Sequence, residues 1–545
     1  MEMNQSNQLK AQYDVVVIGG GVTGAGIARD CAKRGLKTVL LERLDVASGA
    51  SGRNHGLLHS GARYAVKDEE SAQECISENM ILKQIAPHCL EKTGGLFITL
   101  PEDDLNYQST FVEACTKSGI PTEVISPEEA LRLEPSVNPS IIGAVKVPDG
   151  SVDPFRLIAA NVIDAKIHGC DVLTYHEVVG FLRNQDRIEG VEVYDHIKKE
   201  KYSIRANITV NAAGIWGQRL CEFAGVSINM FPSKGSLLIF GHRINNVVLN
   251  RCRKPSDADI LVPGDTVTVI GTTSIRIPFD EVDLSKVTTD EINVLIREGE
   301  KLAPILGKTR ILRAYAGVRP LVALDDDPSG RNISRGIVLL DHALRDGLEG
   351  FITITGGKLM TYRLMAEQAT DMICRKLSVN ALCTTSHDIL PGSEEKKPRE
   401  NEKKYHIPAT IKETAEYRHG TLAEQIPLAT SAEKALVCEC EEVTVGEINY
   451  AIQHLNVNNL IDLRRRTRLG MGTCQSGLCA CRAAGIMKKM KGFSVEETKS
   501  DLALFLNERW KGIYPVGWGE SLRESELSSW VYEHMCGLTD NKILQ

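Results

Sequence analysis

A run of apolar, β-branched residues, Val15 to Ile18, opens directly onto Gly19, Gly21 and Gly24 in the spacing G-x-G-x-x-G. Such a run suits a strand buried on both faces. The first glycine permits a tight turn, the second lets backbone approach a pyrophosphate, and the third lets helix and strand pack closely. Ala25, Ala28 and Ala32 then place small side chains on one helical face, and Gly35 suits the helix end. Thr38 to Leu41 forms a second strand that ends at Glu42, where a carboxylate can accept ribose hydroxyls. A bare glycine pattern would constrain little. Strand, helix, second strand and acid in register specify a dinucleotide site on a parallel sheet.

The ligand predicted for that site is FAD. The motif comes early in the chain, and Ser48-Gly49-Ala50-Ser51-Gly52-Arg53-Asn54 follows the acid at once. Small hydroxyl and glycine residues there, Ser51 among them, offer further hydrogen bonds to pyrophosphate and flavin. Two later stretches read as returns to the same sheet. Ile208 to Gly214 is a buried strand ending in small residues, with Gly214 placed for close backbone approach. Phe351 to Thr355 is another, broken by Gly356 and Gly357, and a helix carrying Met360, Leu364, Met372, Ile373 and Leu377 follows it. The positive end of that helix would favour a reduced, anionic flavin. The intervening segments, about 65–205 and 220–345, are expected to carry a second sheet.

Composition excludes several classes. The 545 residues carry a net charge of -7, whereas nucleic-acid binding needs a basic face. The length predicts roughly three or four domain-sized units. No stretch approaches the ~20 apolar residues of a membrane span, and the polar first ten residues lack a signal-peptide core. The expected setting is therefore the cytoplasm, where the fifteen cysteines read as buried thiols plus a metal site rather than as disulfides.

Four of those cysteines form a second constellation. Cys438-Glu-Cys440 precedes Cys474-Gln-Ser-Gly-Leu-Cys479, with two short helices expected at 445–455 and 459–468 and with Gly470, Gly472 and Gly477 loosening the backbone. Four thiolates in two close pairs suit a [2Fe-2S] cluster or zinc. Zinc ribbons usually use Cys-x-x-Cys pairs, so the cluster fits better, and a flavin in the same chain gives a one-electron carrier a purpose. Arg464-Arg465-Arg466-Thr467-Arg468 reads as a solvated helix face that offsets thiolate charge or docks an acidic partner. Trp510, Tyr514, Trp518, Trp530 and Tyr532 crowd the last stretch, either as local packing or as a partner-docking surface.

The cysteine segment resembles the bacterioferritin-associated ferredoxin-like [2Fe-2S] domain. The preceding residues resemble the FAD-dependent glycerol-3-phosphate dehydrogenases in Leu58-His-Ser-Gly-Ala-Arg-Tyr64, Ile270-Gly-Thr-Thr273, Ala316-Gly-Val-Arg-Pro320 and Gly356-Gly-Lys-Leu-Met-Thr-Tyr-Arg363. The resemblance implies an α/β fold: an FAD-binding, Rossmann-like parallel-sheet domain interleaved with a mixed-sheet substrate domain over 1–390. A charged linker and helical segment at 391–432, the iron-sulfur domain at 433–492 and an aromatic-rich tail at 493–545 complete the expected layout.

It also implies oxidation of sn-glycerol 3-phosphate to dihydroxyacetone phosphate. Electrons would pass to the quinone pool, on the cytoplasmic side of the inner membrane, through two partners: a second catalytic subunit, and a membrane-anchoring iron-sulfur subunit. Arg63, Arg319 and Arg335 fall at the positions that grip substrate, which suits a phosphate dianion because guanidinium forks bind its oxygens bidentately. Lys358, Arg319 and Tyr64 are the polar candidates for the proton of the C2 hydroxyl. Where relatives often carry histidine, this chain has Leu237 after Lys234-Gly-Ser236. The rival readings are a flavin dehydrogenase or oxidase for amino or imino acids, and a non-catalytic electron-transfer module.

Overall fold

The computed structural model describes residues 12–322, 336–394, 408 and 410–538. These form two compact units, each assembled from three separated stretches: Met1–Gly52, Ile158–Pro232 and Arg319–Asp388 in the first, and Arg53–Leu157, Ser233–Val318 and Ile389–Gln545 in the second.

The first unit is built on a strand β1 (Tyr13–Ile18), a helix α1 (Val22–Lys33) and a strand β2 (Thr38–Glu42). Strand β1 pairs in parallel with β2 on one side and with Glu200–Asn211 on the other. Asp171–Thr174 extends the parallel sheet beyond β2, and Phe351–Gly356 extends it beyond Glu200–Asn211. The centre of a strand enclosed this way is apolar, and Val15, Val16 and Val17 are fully buried. The longer strand Glu200–Asn211 does double duty. Its first half carries an antiparallel meander with Arg187–Asp195 and His176–Asn184. The two expected returns to this sheet are therefore present, but the stretch 171–205 belongs here too rather than to the second sheet. Strand propensity in that stretch does not say which sheet the strand joins.

The second unit carries a nine-stranded mixed sheet. Gly95–Thr99 pairs in parallel with Val248–Arg251 and antiparallel with Gly143–Val147, and Val267–Gly271 pairs antiparallel with both Met230–Phe240 and Ile260–Gly264. Leu96, Ile98, Leu238, Phe240, Leu249 and Ile270 fill its core together with Ile292 and Leu295 from the helix Thr289–Leu302. That helix starts at a reciprocal cap, with Thr288 and Glu291 bonding each other's backbone N–H.

The cysteine region of the same unit has a short hairpin, Leu436–Cys438 with Val443–Thr444, and three helices, Val445–His454, Leu460–Thr467 and Ala480–Lys491. The aromatic-rich tail is two long helices, Val495–Ile513 and Glu520–Met535. The charged connector lies mostly outside the described residues, although Pro391, Gly392 and Ser393 are buried. The basic run is not a solvated face. Arg466 is buried and donates to the Leu455 carbonyl, and Arg468 reaches into a buried ion network.

Candidate flavin and iron-sulfur sites

The nucleotide motif is shaped by backbone proximity. Gly19 sits at φ +112, and a Cβ there would lie 2.6 Å from the Ala212 carbonyl oxygen, so only glycine lets β1 turn beside the neighbouring strand. A Cβ on Gly24 would lie 1.9 Å from the Gly19 carbonyl oxygen. This is the close helix–strand approach that the third glycine permits.

Gly21 caps α1 without any side chain, and the Ser51 hydroxyl accepts from the Val22 N–H at 3.0 Å. The remaining first-turn N–H groups sit at the positive end of a twelve-residue helix, which suits a pyrophosphate. Burial raises the Glu42 carboxyl, while N–H groups of Leu44 and Gly20 favour its charge, at 2.9 and 2.6 Å. A carboxylate accepts about four hydrogen bonds, so Glu42 keeps capacity for ribose hydroxyls. Gly214, at φ +59, faces open space where a Cβ would stand. Gly356 and Gly357 also have positive φ, at +78 and +64. This donor set and its glycine-lined cradle fit FAD.

The substrate candidates divide between the units. In the second, Arg63 donates to the Ser256 carbonyl at 3.0 Å and pairs with Asp259 at 3.2 Å, while its Nη1 is shielded from solvent without a partner among the described residues. Tyr64 lies 5.5 Å from the His59 ring. In the first, Arg319 is half-buried, and Lys358 opens the short helix Leu359–Thr361 with its Nζ shielded from solvent. Arg335 lies outside the described residues.

Leu237 is buried, and a Cβ on Gly271 would come within 2.8 Å of its side chain, so leucine fills that position by packing. Around it is a network that motif reading missed. Glu291 accepts from Lys234 Nζ at 2.9 Å, Ser236 at 2.7 Å and Thr273 at 3.0 Å. Only the cap pattern Thr288-x-x-Glu291 signalled it in the sequence. Burial raises the Glu291 carboxyl, but hydrogen bonds from Ser236 and Lys234 outweigh it and hold the group below its usual value.

The four cysteines converge within the second unit. A hydrogen bond from Cys479 pulls the Cys438 thiol down to about 7 against the cost of burial, with the N–H groups of Gly470 and Glu441 assisting. Burial raises the Cys474 thiol, and so does neighbouring Cys440. Thr473 donates to the Cys440 sulfur at 3.7 Å, and a Cβ on Gly472 would lie 2.5 Å from Cys440 Cβ, so the glycine-rich loop closes on the ligand set.

The surroundings are unusually cationic. Arg509 donates to the Gln475 carbonyl in the cysteine loop. Arg313, against which Gly512 packs, and Arg464 both have an Nε shielded from solvent and unpartnered among the described residues. Burial and then the Arg313 charge push Arg464 well below its usual value, while Glu508 and Cys479 draw it back up. A four-thiolate cluster supplies the negative charge these guanidinia lack. The donor set fits a [2Fe-2S] group.

The same domain is joined to the mixed sheet by buried charge. Arg468 pairs with Asp265 at 2.6 Å and Glu441 at 2.9 Å, and Asp265 also pairs with Arg156 at 3.0 Å. Burial raises the Asp265 carboxyl, but the two guanidinia more than reverse this and leave it far below its usual value.

Comparison with known proteins supports both cofactors. Residues 14–363 match the family of FAD dependent oxidoreductases, and residues 436–489 match the BFD-like [2Fe-2S] binding domain. Over 525 residues the chain is 62% identical to a subunit of the anaerobic glycerol-3-phosphate dehydrogenase of Escherichia coli K12, covering 96% of this chain and 97% of that one. The chain belongs to the FAD-dependent glycerol-3-phosphate dehydrogenases. The corresponding subunit from Haemophilus influenzae is 60% identical over 531 residues, covering 97% of this chain and 94% of its own length.

In fold, this glycerol-3-phosphate dehydrogenase family member superposes on the FAD complex of the Bacillus halodurans glycerol-3-phosphate dehydrogenase. The TM-score is 0.68 at 22% identity, covering 94% of this chain and 97% of that one. The L-proline dehydrogenase of P. horikoshii shares the fold over 68% of this chain and 95% of its own, with a TM-score of 0.55 and 24% identity.

Proposed function

We propose that the chain oxidises sn-glycerol 3-phosphate to dihydroxyacetone phosphate and delivers the electrons through its cysteine domain to partner subunits and the membrane quinone pool. The observation carrying this reading is one chain holding both a glycine-shaped nucleotide cradle and four converging cysteines. Its sequence is also 62% identical, over nearly its whole length, to a subunit of an anaerobic glycerol-3-phosphate dehydrogenase. When bound, FAD supplies a two-electron acceptor for the C2 hydride and the cluster a one-electron relay.

The chain's own residues supply the rest. Arg63, Arg319 and Arg335 hold the phosphate, and the shielded, unpartnered Nη1 of Arg63 is a donor suited to an anionic oxygen. Lys358, Arg319 and Tyr64 are the candidates to receive the hydroxyl proton. Leu237 cannot act, because it is an apolar side chain packed against Gly271.

No described helix is long and apolar enough to cross a membrane, so membrane attachment in this reading runs through partners. Two are expected: a second catalytic subunit, and a membrane-anchoring iron-sulfur subunit. Tyr514, Trp518 and Trp530 are 66%, 56% and 53% exposed on the tail, beside Leu527 and Met535. Exposed aromatics of this kind favour interface centres, and they are the proposed docking surface.

The test is anaerobic flavin bleaching with glycerol 3-phosphate, L-proline or no substrate, in the parent and in a Cys438→Ser/Cys440→Ser variant. Glycerol 3-phosphate should bleach both proteins, while quinone reduction through the partner complex should be lost in the variant. Bleaching by L-proline alone would reassign the substrate. Quinone reduction at the parent rate despite proven cluster loss would refute the relay.

A further inference from the structure

Two cysteines that are not cluster ligands stand in contact at the surface. Cys481 begins the helix Ala480–Lys491, two residues beyond the ligand Cys479, and Cys536 follows the tail helix Glu520–Met535. Their sulfurs are 3.8 Å apart. Cys481 is exposed and Cys536 half-buried, whereas nearly all other non-ligand cysteines are buried. A disulfide needs its sulfurs about 2 Å apart, so small side-chain rotations would close this one.

The tail helix already leans on the cluster loop. The Tyr532 hydroxyl, one turn before Cys536, donates to the carbonyls of Ser476 and Gly477 at 3.1 and 3.3 Å. A covalent link between Cys481 and Cys536 would therefore fasten the helix that covers the loop to the helix that leaves it.

We propose that Cys481 and Cys536 form a reversible dithiol–disulfide site that closes under oxidising conditions and slows loss of the [2Fe-2S] cluster. The oxidant is a small-molecule disulfide of the glutathione type. The Cys481 thiolate attacks one of its sulfurs, forming a mixed disulfide and releasing one small thiol. The Cys536 thiolate then attacks the Cys481 sulfur and releases the second. Two protein thiols become one disulfide, and the two electrons and two protons leave on two small thiols. Exposure makes Cys481 the entry point. Cys536, half-buried and 3.8 Å from the Cys481 sulfur, is placed for the second, intramolecular step. In a reducing compartment such a bond is a switch rather than a permanent staple.

This inference rests on the cysteine domain holding its cluster, and its first readout is independent of substrate turnover. Anaerobically purified holoprotein would be incubated with oxidised glutathione, alkylated and mapped without reduction. Separately, cluster absorbance would be followed during challenge with EDTA. The expected results are a 481–536 cross-linked peptide reversed by reductant, and several-fold slower cluster loss in the oxidised protein. Cys536→Ser should stop at glutathionylated Cys481 and lose its cluster at the reduced parent's rate. Glutathione left on Cys481 of the parent with no cross-link would overturn the site, and a complete cross-link with unchanged cluster lifetime would overturn its protective role.

Discussion

The nucleotide motif and the junction that carries the cysteine domain are both tightly packed, but by opposite means. At the motif, contacts are backbone against backbone: Gly24 over the Gly19 carbonyl, Gly19 against Ala212, and α1 starting on a glycine with no side-chain cap. Charge enters through Glu42, with Arg43 and Asp45 beside it. At the junction, contacts run between long side chains with buried ends: Arg468 between Asp265 and Glu441, Arg156 on Asp265, and Arg418 on Glu447 at the base of the helix Val445–His454. The first arrangement fails when an atom is added, and the second when a charge is removed. A site that takes a polyanion needs free backbone donors. A domain that shelters a charged metal cluster can tolerate, and use, buried cations.

The largest effect is expected from adding one methyl at the motif. Gly24→Ala puts a Cβ 1.9 Å from a backbone oxygen, which neither strand nor helix can accommodate without moving. The purified variant should lose its flavin absorbance while keeping the cluster EPR signal. Full flavin content would show that the motif is less rigid than its contacts imply.

Removing charge at the junction should come next. Asp265→Asn leaves Arg156 and Arg468 sharing only the longer contacts to Asp153, at 3.4 and 3.8 Å, and breaking a buried pair typically costs about 3–5 kcal/mol. Hydrogen exchange should show the cysteine domain opening sooner, with β1 and α1 unchanged. If both regions loosen together, the division between them is false.

Arg464→Met removes a cation near Cys479. Because a reduced cluster carries one more negative charge, its midpoint potential should fall by about 1–2 kcal/mol equivalent, the scale for unit charges roughly 10 Å apart at an effective dielectric of about 20. A redox titration followed by EPR measures this, and an unchanged potential would make Arg464 a packing residue only.

The smallest effect depends on pH. Burial pushes the Asp501 carboxyl up to about 6, against the Leu460 N–H that favours its charge. The folded state then binds the proton more tightly than the unfolded chain, so ionisation lowers stability between the usual 3.8 and about 6, and the whole penalty applies above that. Asp501→Asn should raise the denaturation midpoint modestly at neutral pH and leave it unchanged below pH 3.8. A gain at low pH would contradict the assignment.

How much could be read in advance follows the same division. The strand–glycine–helix–strand–acid series was legible because its defining contacts, Gly24 over Gly19, Gly20 on Glu42 and Val22 on Ser51, are local in sequence, and because glycine spacing reports backbone clearance directly. Cys438, Cys440, Cys474 and Cys479 were legible as a ligand set because thiols in close pairs have few other uses. The arginine run at 464–468 was misread as a solvated face. Its counter-charge on Asp265 lies some two hundred residues earlier, and no local pattern marks such a partner. The strands of 171–205 were recognisable as strands but not assignable to a sheet. The Lys234–Glu291 network showed only its capping half.

The sequence by itself determined a parallel nucleotide sheet and, farther along the chain, a four-cysteine segment suited to a [2Fe-2S] cluster. These depend on short-range backbone geometry and on residue types with narrow chemistry. Only the tertiary structure decided which sheet the middle strands join, that Arg466 and Arg468 are folded inward, and that Cys481 meets Cys536. The pairing of buried charges and thiols depends on which distant segments share a low-dielectric interior. That is a property of the packed chain, and no stretch of it carries the information alone.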